Sequence, residues 1–568
     1  MVAWMLTAVL LVGASPPADT VVVCPTAWRG ALEEWLEYRR GQGHVVELLE
    51  AGADAADIRR AIGEAARGGR LRYVVLVGDV TCAGEGKSAP DNNSPGALNS
   101  PDDGAGRRPG VPTYLVEAKV NVHWGSEPLL ATDHPYGDLD DDGQPELAVG
   151  RLPADSAAEL AELVRRTLDY ERSRDFGPWR QRVNLVAGVG DFGPLADAAL
   201  EAAARYFITQ GIPPEVQTSM TYASWRSPYC PDPRRFHQTA VERWNEGSWF
   251  WVYIGHAQPW ALDRPRLFGA SRPILAAGDV GELRCRAGCP IALFLCCYVG
   301  AFDLPEDCLA EKMLLAPGGP VAVLAGSRVT MPYAMTVLAN GLLDECFRRR
   351  VATLGDAVLG AKRRLIEEPA EDETPRRMLD SVARLLSPMP RQLAAERAEH
   401  VLLFNLLGDP LLRLRHPKPV EVRAAARAAP GERLDVAIVS PVPGRATAEL
   451  ILSRGRLREV APRRAAMPRS ADECATFQPV YRSANDTRLV SVDCALVAGR
   501  GSVTLEVPRD IEGPCHVAVF VEGDDDFASG AADVLVQRSG ATEPSPQPSA
   551  AGGPAAAITT ESPAGTSR

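Results

Sequence analysis

A histidine and a pair of cysteines each follow an apolar run that has the character of a buried strand. His256 ends the run in "FWVYIGHAQPW", and Cys296 and Cys297 end the run in "PIALFLCCYVGAFD". The 41 positions from His256 to Cys297 are enough for a crossover between two parallel strands, which would bring both side chains to one edge of a sheet. An imidazole beside a thiol can take its proton and return it to a leaving group. The alternative is structural, since cysteine is among the most buried residue types.

A second group of polar residues has the spacing of metal ligands. The stretch "DLDDDGQPE" places Asp138, Asp140 and Asp142 at alternating positions, with Glu146 beyond them. This arrangement matches the first half of a calcium loop, in which oxygen ligands converge on a hard cation. Val149 occupies the position of the twelfth-residue glutamate and so excludes a complete EF-hand. Two interpretations of this stretch remain: an irregular calcium site and a solvated acidic turn.

The elements that must position these residues alternate between strands and helices. From Thr20 the strands "TVVVCP", "HVVELLE" and "LRYVVLVGDV" are separated by helical patterns. A second series contains the strands "VNLVAGVG", "WFWVYIG", "IALFLCC" and "GPVAVLAG". Alternation of this kind predicts right-handed crossovers and an α/β fold with a parallel sheet covered on both faces. His256 and Cys297 then lie at the carboxyl ends of strands, where ligands and catalytic groups collect.

The chain changes character after Pro417. Six short, β-branched runs separated by turns begin with "RLDVAIVS" and end with "ADVLVQR". They predict an all-β sandwich of immunoglobulin type. The last thirty residues, "SGATEPSPQPSAAGGPAAAITTESPAGTSR", are small, polar and rich in proline, which predicts a disordered tail.

Composition narrows the classes of partner. The 568 residues carry a net charge of -12 and contain no dense Lys/Arg block interleaved with aromatic residues, so a nucleic-acid partner is not expected. The opening "MVAWMLTAVLLVGASPPADT" resembles the apolar core and cleavage region of a signal peptide, although a hydrophobic strand is the alternative. A membrane span is not expected, because no stretch reaches about 18 uninterrupted apolar residues. Cys285 and Cys289 lack a partner pair at zinc-finger spacing, so zinc is not predicted there.

Four sequence blocks carry a resemblance to a known family. In chain order, the stretches "TDHPYGDLDDDGQPELAVGRLPAD", "YIGHA", "LFLCCYVGAF" and "FNLLGDPLL" resemble blocks of the gingipain family of cysteine peptidases. The blocks occur in the same order in that family. The resemblance covers roughly residues 20 to 414. It implies a fold related to that of the caspases, with a β-sandwich after the catalytic part.

The resemblance also implies roles for particular residues. The family's catalytic histidine falls on His256, and its nucleophile begins a C-x-x-G-x-F pattern that Cys297, Gly300 and Phe302 match. Cys296 then points to the other side of the strand. The oxyanion hole would use the backbone N–H groups of Ala257 and Cys297. Most relatives have glycine where this chain has Ala257, which retains the N–H donor but restricts the backbone.

Two further assignments depend on the same resemblance. Asp191, in "AGVGDFG", is a candidate for the acid that orients the histidine, and the alternative is an ordinary turn aspartate. Because the family binds structural calcium, Asp138, Asp140, Asp142 and Glu146 are candidate calcium ligands. No cofactor is expected to take part in the chemistry.

The expected organisation follows from these assignments. A signal peptide would occupy residues 1–18, an N-terminal α/β subdomain 19–178, a catalytic caspase-like subdomain 179–416, an immunoglobulin-like sandwich 417–538 and a disordered tail 539–568. The predicted function is that of an exported cysteine endopeptidase, secreted, periplasmic or at the cell surface, acting on protein or peptide substrates through an acyl-enzyme. The alternatives are a sortase-like transpeptidase of the same family and a non-catalytic surface or adhesion protein.

Overall fold

The computed structural model describes residues 16–80, 110–189, 211–270, 272–370 and 373–538. Residues 1–15 of the predicted signal peptide, the candidate Asp191 and the predicted tail 539–568 lie outside the described residues. Within those ranges no helix is both long enough and apolar enough to cross a membrane.

The α/β part of the chain extends to Leu407. Its strands are β1 (Thr20–Cys24), β2 (Val46–Glu50), β3 (Tyr73–Val77), β4 (Tyr114–Glu117), β5 (Leu129–Thr132), β6 (Ala148–Leu152), β7 (Arg182–Ala187), β8 (Gln217–Tyr222), β9 (Phe250–Ile254), β10 (Ala257–Gln258), β11 (Ala261–Leu262), β12 (Ile291–Leu295), β13 (Ala322–Gly326) and β14 (Phe404–Leu407). Its helices are α1 (Glu33–Gly41), α2 (Ala55–Ala66), α3 (Ala157–Arg172), α4 (Phe236–Asn245), α5 (Leu309–Leu315), α6 (Pro332–Leu343), α7 (Leu354–Ile366), α8 (Thr374–Leu386) and α9 (Leu393–Leu403).

Short helices of other types complete the α/β part. The 3-10 helices are Thr26–Leu32, Asn121–Trp124, His134–Tyr136, Pro178–Gln181, Pro233–Arg235, Ala277–Glu282 and Pro390–Gln392, and a π-helix covers Asp344–Arg349.

One large sheet joins the two series of strands. Its order is β2-β1-β3-β6-β14-β13-β12-β9-β7-β8 among the described residues. The pairs on either side of the β13–β14 boundary are parallel, whereas β13 and β14 are antiparallel, with Val323 opposite Leu407. The α/β prediction is confirmed, but the alternating pattern did not reveal this junction. The chain leaves β13 and enters β14 at the same edge of the sheet, since Gly326 lies opposite Phe404. No crossover to the other edge is needed, so β14 runs antiparallel to β13.

Alternate residues of the central strands are buried on opposite faces of this sheet. In β9, Trp251 and Tyr253 belong to one apolar core, whereas Phe250 and Val252 belong to the other. Each face is covered by helices, so neither set of side chains contacts solvent. Burial on both faces explains why these strands are almost continuously apolar in sequence.

The C-terminal part is built from strands in two further sheets. Its strands are β15 (Lys418–Pro419), β16 (Glu421–Ala424), β17 (Arg427–Ala428), β18 (Arg433–Val439), β19 (Arg445–Leu452), β20 (Arg488–Ala495), β21 (Arg500–Glu506), β22 (Gly513–Glu522) and β23 (Phe527–Val536). One sheet has the order β16-β18-β21, and the other has the order β15-β23-β22-β19-β20 with β17 also paired to β23. Alternate residues such as Leu434, Leu450 and Val517 share one core. The six predicted strands are present, and the immunoglobulin-type classification stays a prediction.

A helical insertion between β19 and β20 was not predicted. It contains α10 (Ala471–Ala475) and α11 (Phe477–Asn485), and it packs against the large sheet of the α/β part. Asn485 accepts a hydrogen bond from Met220 N at 2.7 Å and donates one to Met220 O at 3.0 Å. Because β8 is an edge strand, the insertion satisfies backbone groups that would otherwise be unpaired.

Candidate active site

The register of β9 and β12 places the predicted histidine and cysteine at the same edge of the sheet. The two strands are parallel neighbours, with Ile254 opposite Leu295. His256 and Cys297 each follow that pair by two residues. Both residues are half-buried, so each lies partly open to solvent. The pairing therefore brings a thiol and an imidazole together at the carboxyl ends of adjacent strands.

The backbone at His256 is held by contacts on its carbonyl group. Tyr253 Oη donates to His256 O at 2.8 Å, and Asp263 N donates to the same oxygen at 3.0 Å. Gly255 has a φ of +156°, and a Cβ at this position would lie 2.7 Å from Tyr253 Oη. Glycine is thus required immediately before the histidine, where the chain approaches the tyrosine hydroxyl. Ala257, the residue after it, begins the short hairpin of β10 and β11.

The two adjacent cysteines lie in different environments. Cys296 is fully buried in the core beneath the sheet, and burial raises the pKa of its thiol well above the ordinary value. Cys297 is half-buried at the edge of the sheet. A thiol that remains protonated and excluded from solvent is a poor nucleophile. Of the two, Cys297 has the position that nucleophilic chemistry requires.

Thr330, four residues beyond β13, contacts the Cys297 sulfur. Thr330 N lies 3.4 Å from Cys297 Sγ and Thr330 Oγ1 lies 3.7 Å from it. The thiol itself can donate to Thr330 O, at 3.8 Å. The amide and hydroxyl are donors that can hydrogen-bond to a thiolate, and Thr330 is buried. The sequence reasoning did not identify this residue, although its place just after the strand next to β12 was a usable signal.

A buried histidine anchors the segment that carries Thr330. Met331 N donates to His400 Nε2 at 2.7 Å, and His400 Nδ1 donates to Glu396 O at 2.7 Å. Burial lowers the pKa of His400 to about 4. The ring is therefore neutral near pH 7, with its proton on Nδ1 and a lone pair on Nε2 facing the amide of Met331.

The chain turns sharply after Cys297. Tyr298 has a φ of +63°, in the left-handed region that side chains other than glycine rarely adopt. Its amide donates to Arg328 O at 3.2 Å, and Gly300 N donates to Gly326 O at 3.0 Å. A Cβ on Gly300 would lie 2.9 Å from the Ala325 Cβ. Backbone strain of this kind is often found at functional sites, and here the contact with β13 explains why the pattern requires Gly300.

Hydrogen bonds and ion pairs between charged side chains stabilise this turn. Arg328 forms two hydrogen bonds with Asp303, at 2.8 and 2.6 Å, and both residues are buried. Tyr298 Oη donates to Glu127 Oε2 at 3.0 Å, and the same carboxylate lies 3.7 Å from Arg328 Nε. The loop after the candidate nucleophile is thus fixed by a network in which each buried charge has a partner.

The predicted oxyanion groups have different surroundings. No hydrogen bond among the described residues uses the amide N–H of Cys297. Ala257 is half-buried and lies opposite Leu262 in the β10–β11 hairpin. Asp191, the predicted orienting acid, lies outside the described residues, so it stays a prediction.

The acidic loop brings together three of the four predicted calcium ligands. Carboxylate oxygens of Asp138, Asp140 and Glu146 lie within 4.8 Å of one another. Asp142 is not part of this group, and its Oδ1 accepts from Gln144 N at 2.7 Å. Asp138 Oδ1 is buried and has no hydrogen-bond partner among the described residues. Burial and the neighbouring carboxylates raise the pKa of Glu146.

A second group with metal-ligand chemistry lies outside the residues singled out from the sequence. Oxygen or nitrogen atoms of His237, Asp279 and Glu282 lie within 4.8 Å of one another. Arg272, however, pairs with both Asp279 and Glu282. This guanidinium neutralises the charge of the two carboxylates. The group is therefore interpreted as an ion-pair network and not as a metal site.

A thiol and an imidazole at the ends of adjacent parallel strands are the arrangement expected of a cysteine peptidase with an α/β fold. The chain belongs to Peptidase family C25, whose model matches residues 13–415. This family assignment confirms the resemblance to the gingipain family of cysteine peptidases.

Comparisons with individual proteins agree with this assignment. Lys-gingipain of Porphyromonas gingivalis is 21% identical over 312 residues, which cover 52% of this chain and only 15% of that protein. The crystal structure of the Arg-specific cysteine proteinase gingipain R has a TM-score of 0.50 at 16% identity and covers 93% of this chain and 99% of its own. A second structure, described as a protease, has a TM-score of 0.51 at 14% identity and covers 92% and 98%. The structures show the shared caspase-like fold.

Proposed function

We propose that this protein is an exported cysteine endopeptidase of gingipain type in which Cys297 and His256 form the catalytic dyad. The observation that carries the proposal is the register of β9 and β12, which places both residues two positions beyond a paired Ile254 and Leu295. The buried position of Cys296 supports Cys297 as the nucleophile. The apolar run in residues 1–18 supports export, which N-terminal sequencing of the processed chain would test.

The reaction would proceed through an acyl-enzyme. Cys297 Sγ attacks the carbonyl carbon of the scissile peptide bond while His256 accepts the thiol proton. The oxyanion would be held by the amide N–H groups of Ala257 and Cys297. When the C–N bond breaks, His256 returns the proton to the leaving amine. Water then attacks the thioester with His256 as the base, which releases the acid product and restores the thiol.

The turn and the segment around Thr330 support this mechanism. The donors at Thr330 face the sulfur on which negative charge develops, at 3.4 and 3.7 Å. Tyr298 and Gly300 turn the chain against the end of β13 directly after the nucleophile, through hydrogen bonds to Arg328 O and Gly326 O. No step requires a metal ion at the dyad.

The proposal is tested by comparing the two adjacent cysteines. Cys297→Ala should abolish cleavage of a peptide library and covalent labelling by a thiol-directed peptidyl inhibitor, because the attacking sulfur is lost. Cys296→Ala removes only a buried side chain, so it should retain most of both activities. Mass spectrometry of the labelled peptide would identify the modified residue. Labelling that depends on Cys296 and persists in Cys297→Ala would refute the assignment.

Product analysis also separates hydrolysis from transfer. With a peptide substrate alone, the endopeptidase should release a free carboxylic acid. Adding an amine nucleophile should leave that product dominant. Predominant formation of the amide adduct would instead identify a transpeptidase, whereas a correctly folded protein without either product would identify a non-catalytic surface protein.

We also propose that the acidic loop binds a structural calcium ion. Asp138, Asp140 and Glu146 would supply carboxylate oxygens, and the unpartnered Asp138 Oδ1 is a buried acceptor that a cation would satisfy. Gly143 N donates to Asp138 Oδ2 at 3.0 Å and Leu139 N donates to Glu146 Oε2 at 2.7 Å, so the two carboxylates are already oriented. The ion would stabilise the loop, which lies far from the dyad in sequence.

Removal of calcium is therefore expected to lower stability. A chelator should lower the melting temperature of wild type by several degrees, since a bound ion stabilises only the folded state. Asp138→Asn should have a lower melting temperature than wild type and should not respond to the chelator. Asp142→Asn, which changes an exposed carboxylate outside the group, is the matched control and should respond like wild type. An equal chelator response in Asp138→Asn and wild type would contradict the site.

A further inference from the structure

Two further cysteines lie together in a tight turn that leads into β12. Cys285 and Cys289 are separated by three residues, and Gly288, between them, has a φ of +71°. Cys285 Sγ lies 3.3 Å from Ala287 O, and Cys289 Sγ lies 3.6 Å from Cys285 O. The two thiols also influence each other's protonation. Nothing in the proposed peptidase mechanism uses this pair.

A guanidinium group lies beside the pair. Arg166 of α3 donates to the backbone carbonyls of Leu314, Gly319 and Pro320, which fix its position. In the part of the chain that the structure describes, no carboxylate forms an ion pair with Arg166. Arg166 and Cys289 line the same groove, and the guanidinium charge lowers the pKa of the Cys289 thiol. A thiolate at Cys289 would therefore supply the negative charge that this half-buried cation lacks.

The protonation of the two thiols is unequal. The hydrogen bond from Cys285 and the nearby Arg166 charge, acting against burial, lower the pKa of Cys289 to about 7. The hydrogen bond to Cys289 and burial raise the pKa of Cys285. One sulfur thus carries thiolate character near neutral pH while its neighbour keeps a proton, a combination found in reactive cysteine pairs.

Reagents can approach this pair from solvent. Cys285, Cys289 and Arg166 line one groove with a volume of ≈ 1040 Å³. Cys289 is half-buried, whereas Cys285 is buried. Small hydrophilic oxidants should therefore encounter Cys289 first.

We propose that Cys285 and Cys289 form a redox-active pair in which Cys289 is a second nucleophilic thiol that reacts with hydroperoxides. The Cys289 thiolate attacks one peroxide oxygen, the O–O bond breaks, and the sulfur becomes a sulfenic acid as the other oxygen leaves as hydroxide or an alkoxide. Cys285 then attacks the sulfenic sulfur, its proton leaves with the hydroxyl group as water, and a disulfide forms. Two electrons pass from the two sulfurs to the peroxide.

The pair is separate from the dyad in space and in chemistry. It lies at the amino end of β12, whereas Cys297 lies beyond its carboxyl end. The five residues of β12 alone span about 16 Å in extended conformation. The proposal therefore does not depend on peptidase activity and can be tested in a chain that lacks the catalytic thiol.

The test uses full-length Cys297→Ala protein, fully reduced and then exposed to one to five equivalents of hydrogen peroxide. The expected result is loss of two thiols per chain, with the peptide that contains Cys285 and Cys289 losing the mass of two hydrogen atoms. Adding Cys285→Ser should stop the reaction at a sulfenic acid on Cys289 that dimedone traps. Adding Cys289→Ser should leave both the thiol count and the peptide mass unchanged.

A second measurement tests the role of the guanidinium. Peptide-resolved alkylation by iodoacetamide at pH 7 should be several-fold faster at Cys289 than at Cys285, and Arg166→Gln should slow the reaction at Cys289 towards the rate of an ordinary thiol. Arg165→Gln, on the exposed side of the same helix turn, is the control and should leave the rate unchanged. Peroxide that leaves both thiols free, or dimedone that traps a cysteine other than Cys289, would overturn the proposal.

Discussion

At the scale of single residues, one position along a strand separates a core residue from a candidate nucleophile. Cys296 and Cys297 have the same side chain, and the alternation of a strand sends one into the core and leaves the other at the sheet edge. The amide and hydroxyl of Thr330 then contact Cys297 and not Cys296, and the hydroxyl also lies 3.0 Å from Met335 Sδ. The chemistry of the thiol thus depends on its surroundings rather than on its residue type.

Thr330 is expected to assist the sulfur through its hydroxyl. Thr330→Val removes one donor while the shape of the side chain is almost unchanged, so kcat/KM and the alkylation rate of Cys297 at pH 7 should fall about fivefold, which corresponds to the loss of about 1 kcal/mol from one hydrogen bond. Thr330→Ser retains the hydroxyl, so its kcat/KM and its Cys297 alkylation rate should remain within about twofold of the wild-type values. Equal losses in both variants would show that only packing matters here. Alkylation must be resolved by peptide, because Cys289 is also expected to react.

At the scale of elements, a half-buried and a buried carboxyl group lie between the first half of the sheet and the helix after the candidate nucleophile. Asp79 directly follows the turn at the end of β3, and Glu311 lies in α5. The two carboxyl groups influence each other's protonation. Burial and the charge of Asp79 raise the pKa of Glu311 well above the ordinary value. Ionisation of both carboxyl groups at once is therefore unfavourable.

This pair should make stability depend on pH. Burial raises the pKa of Asp79 to about 6, compared with about 3.9 in an unfolded chain. Between these values the folded state binds more protons than the unfolded state, so the free energy of unfolding falls as the pH rises through this range. Asp79→Asn removes the ionisable group and can still donate to Glu311. It should be more stable than wild type by about 1 to 2 kcal/mol at pH 7.5, with little gain at pH 4.

Urea unfolding at both pH values would measure this effect. Asp524→Asn changes an exposed carboxylate and is the matched control, so it should differ little from wild type at either pH. A stabilisation of Asp79→Asn that is the same at pH 4 and pH 7.5 would contradict the proton-linked origin.

At the scale of the whole molecule, the C-terminal part is joined to the large sheet through its helical insertion. Besides the two hydrogen bonds between Asn485 and Met220, Tyr481 Oη lies 2.8 Å from Thr221 Oγ1 and accepts a hydrogen bond from Arg243 Nε at 2.9 Å. The insertion covers the edge of β8, which would otherwise present unpaired backbone groups. The C-terminal part therefore stabilises the α/β part as well as its own sheets.

Asn485→Ala should weaken this connection. Loss of the side-chain amide leaves Met220 N and O without their partners, which should lower the free energy of unfolding by about 1 to 3 kcal/mol. Hydrogen exchange at the Met220 amide should become faster. Arg482→Ala alters an exposed residue of the same helix and should change neither quantity. Unchanged exchange at Met220 in Asn485→Ala would show that the contact contributes nothing to the edge.

Much of the architecture was predictable because it depends on local patterns. Apolar runs such as "FWVYI" and "IALFL" identified β9 and β12, and the six β-branched runs after Pro417 matched strands from β18 to β23 within a few residues. The polar edge strand β8, "QTSMTY", and the helical insertion escaped prediction. Edge strands and surface helices are only partly buried, so their sequences carry a weaker apolar signal.

The sequence by itself determined that His256 and Cys297 end two buried strands and that acidic residues crowd one loop, since residue type and spacing set these features. Only the tertiary structure decided that β9 and β12 are neighbours in matched register, that Thr330 and His400 support the cysteine, and that Asp142 stays apart from Asp138 and Glu146. The physical reason is that these contacts join residues far apart in the chain. Their partners are selected by the packing of the whole sheet, which no local pattern encodes.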